Sequence, residues 1–207
     1  MARQDSSVGI VNYTQIVSGS SATPLLAPSS AGVNPGFPSP LFPLSTTTYP
    51  VGVFVGVPRD SGLVYDGHPF EVSLVANISG TTTTNVLVSL FQATRASWVD
   101  GPYAGTYTLG TLGTGCTNVV TGTATSGITS SASVNAWMKA QFVWSSATNT
   151  LGFAAATQYI NGNVVSISAT ASVTGVKIQD LNFLPQFTFA SGGINTISVS
   201  EFVINRL

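Results

Sequence analysis

An all-β fold, an antiparallel β-sandwich of jelly-roll type preceded by an extended proline-rich arm, is predicted by three observations. The first is composition: 21 Gly, 11 Pro and only six Lys plus Arg among 207 residues leave few of the long side chains that fill exposed helix faces, while Val, Thr, Ser and Phe favour strands. The second is period-two alternation of apolar and polar residues in run after run. The third is the short spacing of those runs, each bounded by Gly, Asn or Ser, which suits a sandwich or barrel better than a βαβ sheet.

Residues 1–48 stand apart from the remainder of the chain. Six of the 11 prolines, Pro24, Pro28, Pro35, Pro38, Pro40 and Pro43, fall there, and proline is excluded from helix interiors and central strands. Phe37, Leu41, Phe42 and Leu44 are interleaved with them, whereas flexible linkers are poor in such residues. The segment therefore reads as an extended arm lying on an apolar surface, with these four residues as its anchors on a partner. Residues 49–207 form the sandwich domain.

Within that domain the clearest strand is 70–79. Phe70, Val72, Leu74, Ala76 and Ile78 share one face and Glu71, Ser73, Asn77 and Ser79 the other, with Val75 the one exception to the polar side. The run 85–93 comes after a Gly/Thr-rich turn, and the pair is expected to form an antiparallel hairpin. Further strands are expected at 51–57, 106–112, 117–124, 134–145, 150–157, 164–173, 183–189 and 194–204. In the run from Ala136, Met138, Ala140, Phe142 and Trp144 point one way and Trp137, Lys139, Gln141 and Val143 the other. Asn149 to Gly152 and Ile160 to Asn163 supply hairpin turns. The stretch 105–133 is rich in Gly, Thr and Ser, specifies register weakly, and is expected to hold loops or edge strands.

Charge excludes several functions. Net charge is −1 with dispersed basic residues, so there is no electrostatic footprint for nucleic acid. No run approaches 18 apolar residues and the opening lacks a secretory pattern, so neither membrane insertion nor export is expected, and synthesis is expected in a cytosol. Cys116 is the lone cysteine and reads as a small strand or loop residue. His68, the single histidine, sits in Asp66-Gly67-His68-Pro69, where turn chemistry explains all four residues without a catalytic triad. No metal-binding spacing occurs, so no metal or cofactor is expected, though a calcium site drawn from distant loops stays open as an alternative.

Two features are left. Trp137, Trp98 and Tyr103, with Tyr107 and Tyr159, raise the alternative of a sugar-stacking platform; Trp137 is the best placed because alternation sets it opposite the Met138 to Trp144 face. Glu201 lies among Val199, Phe202 and Val203, where burying an unpaired carboxylate is costly. A salt bridge to Arg206, Arg95 or Lys177, or exposure at an edge, would satisfy it.

The order of segments carries a resemblance. FEVSLVANISG, its return NVLVSLFQAT, a Gly/Thr-rich middle, SVNAWMKAQFVWSSATNTLGFAAA, LNFLPQFTFASGG and the closing INTISVSEFVINRL resemble the jelly-roll domains of tailed-phage structural proteins, closest in character to capsid cement or decoration proteins. The resemblance spans roughly residues 50–207. It implies a non-enzymatic virion protein on the capsid surface, a homotrimer or other symmetric oligomer, with its arm laid over the major capsid protein. Related jelly rolls in phage tails and fibres imply the alternative of a carbohydrate- or receptor-binding module.

Overall fold

A strand that is apolar on one side needs a second layer to cover that side. The computed structural model, which describes residues 7–18, 48–50, 55–56, 64–80, 86–93, 116–122, 133–178, 181–189 and 194–207, supplies it as two antiparallel sheets with no α-helix among the described residues. In chain order the strands are β1 (Ser7–Ser18), β2 (Thr48–Pro50), β3 (Val55–Gly56), β4 (Pro69–Gly80), β5 (Val86–Ala93) and β6 (Cys116–Gly122). They continue with β7 (Val134–Ser145), β8 (Thr150–Ile160), β9 (Asn163–Val165), β10 (Ile167–Ala169), β11 (Ser172–Thr174), β12 (Asn182–Phe189) and β13 (Ile194–Arg206).

The seven-stranded sheet runs β1-β13-β4-β7-β8-β11 with β9 also on β8, and the six-stranded sheet runs β10-β6-β5-β12-β2 with β3 also on β12. The pairings β4 with β13, β5 with β12, β6 with β10 and β7 with β8 are all antiparallel. One long ribbon folded at the β7–β8 turn is thus rolled across both layers, which is the jelly-roll arrangement.

Most predicted strands appear close to their expected limits; one pairing and two strands differ. β4 and β5 do not form the expected hairpin: β4 lies between β13 and β7, and β5 between β6 and β12. Alternation identifies the buried face of a strand but not its neighbour, and both strands turn their apolar side to the same core from opposite layers. The expected strand 164–173 is three short ones, of which β10 belongs to the other sheet. Of the expected strand 51–57 the described part is Val55–Gly56, β3, on β12, and β2 just before it pairs with β12 as well. Strand 106–112 lies outside the described residues. Residues 7–18 of the expected arm form β1, paired with β13 from Ser7 to Ser18; Phe37, Leu41, Phe42 and Leu44 lie outside the described residues.

The core is aromatic where the layers meet. Phe70 of β4, Phe142 of β7 and Phe183 of β12 are fully buried, with ring centroids 5.9 Å (Phe70–Phe142), 6.1 Å (Phe70–Phe183) and 5.3 Å (Phe142–Phe183) apart. Each contributes about 1.5–3 kcal/mol of burial. Trp144 closes one end, its Nε1–H donating to the Val176 carbonyl at 2.7 Å. On β6, a Cβ at Gly122 would lie 1.9 Å from Oε1 of the buried Gln158, so a side chain there requires the Gln158 amide to move.

The turn expected at Ile160 to Asn163 is formed, whereas the one expected at Asn149 to Gly152 lies earlier, over 146–149, with Thr150 to Gly152 already in β8. Asn161 and Gly162, at φ 50° and 78°, join β8 to β9 as a two-residue primed turn, and Asn149 at φ 48° ends the β7–β8 turn. The Asp66 carboxylate accepts the Ser146 N–H and hydroxyl, both at 2.7 Å, tying the loop before β4 to the β7–β8 turn. These bonds, the backbone one first, hold its carboxyl below the usual range.

Candidate functional site

Because β4, β7 and β8 point alternate residues inward, the remaining residues fall into rows across the outer face of the seven-stranded sheet. One row is mainly apolar. It passes from Val75 to Trp137, from Trp137 to Tyr159 and from Tyr159 to Val164 on the edge strand β9. Val75, the exception in the polar alternation of β4, is thereby explained: it adjoins Trp137. The Trp137 and Tyr159 rings lie 5.2 Å apart at 47°, both half-buried, and Val164 is 71% exposed.

Polar rows border this stripe. On one side Asn77 donates through Nδ2 to Asn135 Oδ1 at 2.9 Å, and Asn135 donates its backbone N–H to Asn161 Oδ1 at 2.8 Å. The side-chain NH2 of exposed Asn135 donates to no described residue. On the other side Ser73, Lys139 and Thr157 form the adjacent row. Lys139 Nζ lies 5.7 Å from the Trp137 ring centroid, within cation–π range.

Beyond Lys139 sits Glu71, 6% exposed despite its outward position. It accepts from Lys139 Nζ at 2.9 Å, Ser73 Oγ at 3.0 Å and Gln141 Nε2 at 3.4 Å. Burial pushes its carboxyl up, but these bonds and the Lys139 charge together outweigh it and hold the group below the usual range.

Glu201 reaches the same face through a backbone irregularity. The register of β13 on β4 shifts between Val199 and Glu201, so Ser200 is a bulge residue and donates its hydroxyl to the Val75 carbonyl at 3.2 Å. In a regular strand Glu201 would share the core face with Ile197 and Val199. The bulge instead sends Phe202 and Ile204 inward and leaves Glu201 half-buried on the outer face opposite Val75. No described cation pairs with it, so the expected salt bridge to Arg206 or Lys177 is not formed. Arg206 instead lies over the Tyr65 ring at 4.3 Å, and Arg95 lies outside the described residues.

Among the described residues neither a close carboxylate pair nor a triad is assembled on this face. Glu71 and Val75, the residue opposite Glu201, are four positions apart on β4, so the two carboxylates are separated by about 14 Å along the strand, against about 5–9.5 Å for paired glycosidase acids. His68 is exposed in its turn and its N–H donates to the Tyr65 carbonyl at 3.1 Å, while Asp66 is engaged by Ser146. Among the described residues no three His, Cys, Asp or Glu side chains group to hold a metal, and no helix is long and apolar enough to cross a membrane.

Of the aromatic candidates, Trp137 and Tyr159 are brought together; Trp98, Tyr103 and Tyr107 lie outside the described residues. Sequence alternation sets Lys139 and Gln141 beside Trp137 on one face, but the Glu71 cluster was not legible, because it depends on β7 being the neighbour of β4.

No family model and no curated protein matches the sequence. Among solved structures, the chain is similar to a legume lectin-like domain from Entamoeba histolytica, with TM-score 0.29 and 11% identity over 69% of this chain and 74% of that one. It is also similar to a β-glucanase from Bacillus licheniformis, with TM-score 0.25 and 12% identity over 75% and 78% of the two chains. A third is the binding domain of botulinum neurotoxin serotype C1, with TM-score 0.24 and 10% identity over 68% of this chain and 34% of that one. Likeness at this level carries no argument about activity.

Proposed function

We propose that the chain is a non-catalytic binding module that takes a saccharide on the outer face of its seven-stranded sheet, in the setting of a phage tail or fibre. The observation that carries this reading is the Trp137–Tyr159 pair bordered by amide, hydroxyl and ammonium groups. A pyranose ring offers a C–H face that packs on aromatic rings and a rim of hydroxyls that needs donors and acceptors close by. Apolar stacking with a few placed polar groups is the general form of a small-ligand site. No cofactor is required. A glycan array tests the reading: the wild-type chain is expected to give hits that Trp137→Ala loses, and an array without hits overturns it.

A second reading, capsid cement, is favoured by charge. Only 13 residues (6 + 7) of 207 are formally charged, and contact surfaces are depleted of charge at their centres. In this reading a homotrimer binds the assembled shell on its outside, through contacts with the major capsid protein. It stabilises the shell by mass action, and several subunits add avidity. Co-sedimentation with empty capsids, with native mass measured alongside, is expected to show an oligomer bound to shells; a monomer that stays in the supernatant overturns it.

A further inference from the structure

We infer that the saccharide taken by this face is an uncharged one, and that carboxylate-bearing sugars are discriminated against. The inference rests on the saccharide reading and adds the chemical class of ligand. It comes from the charges on the face. Among the described residues Lys139 is the cation beside the aromatic pair, and its charge is already compensated by Glu71 at 2.9 Å. Its side chain is 42% exposed and its ammonium carries three N–H groups, so it still donates to hydroxyls without offering a net positive charge.

At the other end of the same row stands Glu201, half-buried and paired with no described cation. Among the described residues of this face Glu71 and Lys139 cancel, and the Glu201 carboxylate remains. Trp137 and Glu201 are separated by one intervening strand, about 10 Å at ordinary strand spacing. That distance is comparable with the Debye length of about 8–10 Å at physiological salt. A sugar carboxylate stacked on Trp137 would meet repulsion from Glu201 and find the neighbouring Lys139 already engaged, whereas a neutral ring meets neither cost. Recruiting Lys139 would strip the buried Glu71 of its cationic partner, which is costly for a carboxylate at 6% exposure.

The test is titration calorimetry on the full chain at low ionic strength. The probes are neutral oligomers of glucose, mannose and galactose and, for each, the corresponding uronic acid oligomer. At least one neutral oligomer is expected to bind, with its acidic counterpart weaker by about 3–10-fold, the size that screened repulsion over this distance supports. Glu201→Gln is expected to shrink that ratio, and Trp137→Ala to abolish binding of the neutral oligomer. An acidic oligomer binding as tightly as its neutral counterpart, or a ratio untouched by Glu201→Gln, overturns the inference while leaving the saccharide reading standing. Failure of every oligomer to bind overturns the reading and the inference together.

Discussion

The two faces of β4 and β7 are built from the same two strands and obey different rules. Inward, Phe70, Val72, Leu74 and Ala76 meet Phe142, Ala140, Met138 and Ala136, all buried to 2% exposure or less. Outward, Glu71, Ser73, Val75 and Asn77 meet Gln141, Lys139, Trp137 and Asn135, a face with one apolar row among polar ones. The inner face is fixed by packing, where every methylene removed leaves a void. The outer face is constrained in part, with Glu71 and Ser73 buried but Val75 and Trp137 only half-buried. An aromatic pair at its centre is more than stability requires, which is why it marks a candidate site.

The largest test of that contrast is Phe142→Ala. It removes a ring packed on both Phe70 and Phe183 and is expected to cost about 3–5 kcal/mol in denaturant unfolding. Next comes Gly122→Ala, whose new methyl collides with buried Gln158; an overpacking cost of about 1–3 kcal/mol is expected in the same measurement. A cost near zero would show that Gln158 swings away freely.

The outer face is expected to give smaller effects of a different kind. Glu71→Gln loses a charge-assisted cluster and is expected to cost about 1–2 kcal/mol at neutral pH. The sign of its pH dependence comes from the lowered carboxyl. Stability from Glu71 is fully present above the ordinary carboxylate value of 4.5 and is lost as pH falls through the lower folded-state value. Melting curves of wild type and variant are therefore expected to converge as pH falls through that lowered value; a gap that persists once the group is protonated would mean the loss is one of packing. Trp137→Ala, half-buried on the outer face, is expected to change stability by about 1 kcal/mol or less while removing saccharide binding.

The contrast also explains what the sequence could tell. Inner faces were legible because Phe70 to Ile78 and Ala136 to Trp144 repeat with period two, and the Asn161-Gly162 turn announces itself by residue type. Neighbour relations were not. The β4–β5 hairpin was expected from adjacency in sequence, whereas the rolled ribbon puts residues some 60 positions away beside β4. Glu201 was ambiguous for a related reason, since a bulge at Ser200 reverses the parity of everything after it and no residue type there signals it. For the site, alternation placed Trp137, Lys139 and Gln141 together, but Glu71, Val75 and Tyr159 joined them only through register.

The central claim is that the Trp137–Tyr159 stripe is a ligand surface and not surplus packing. Indole N–H resonances test it most directly, because Trp144 is buried with its Nε1 bound to Val176 and Trp137 is on the outer face. During titration with a neutral oligosaccharide that binds the chain, the Trp137 indole signal is expected to shift saturably while that of Trp144 stays in place. A binding saccharide that leaves the Trp137 signal unmoved would contradict the account.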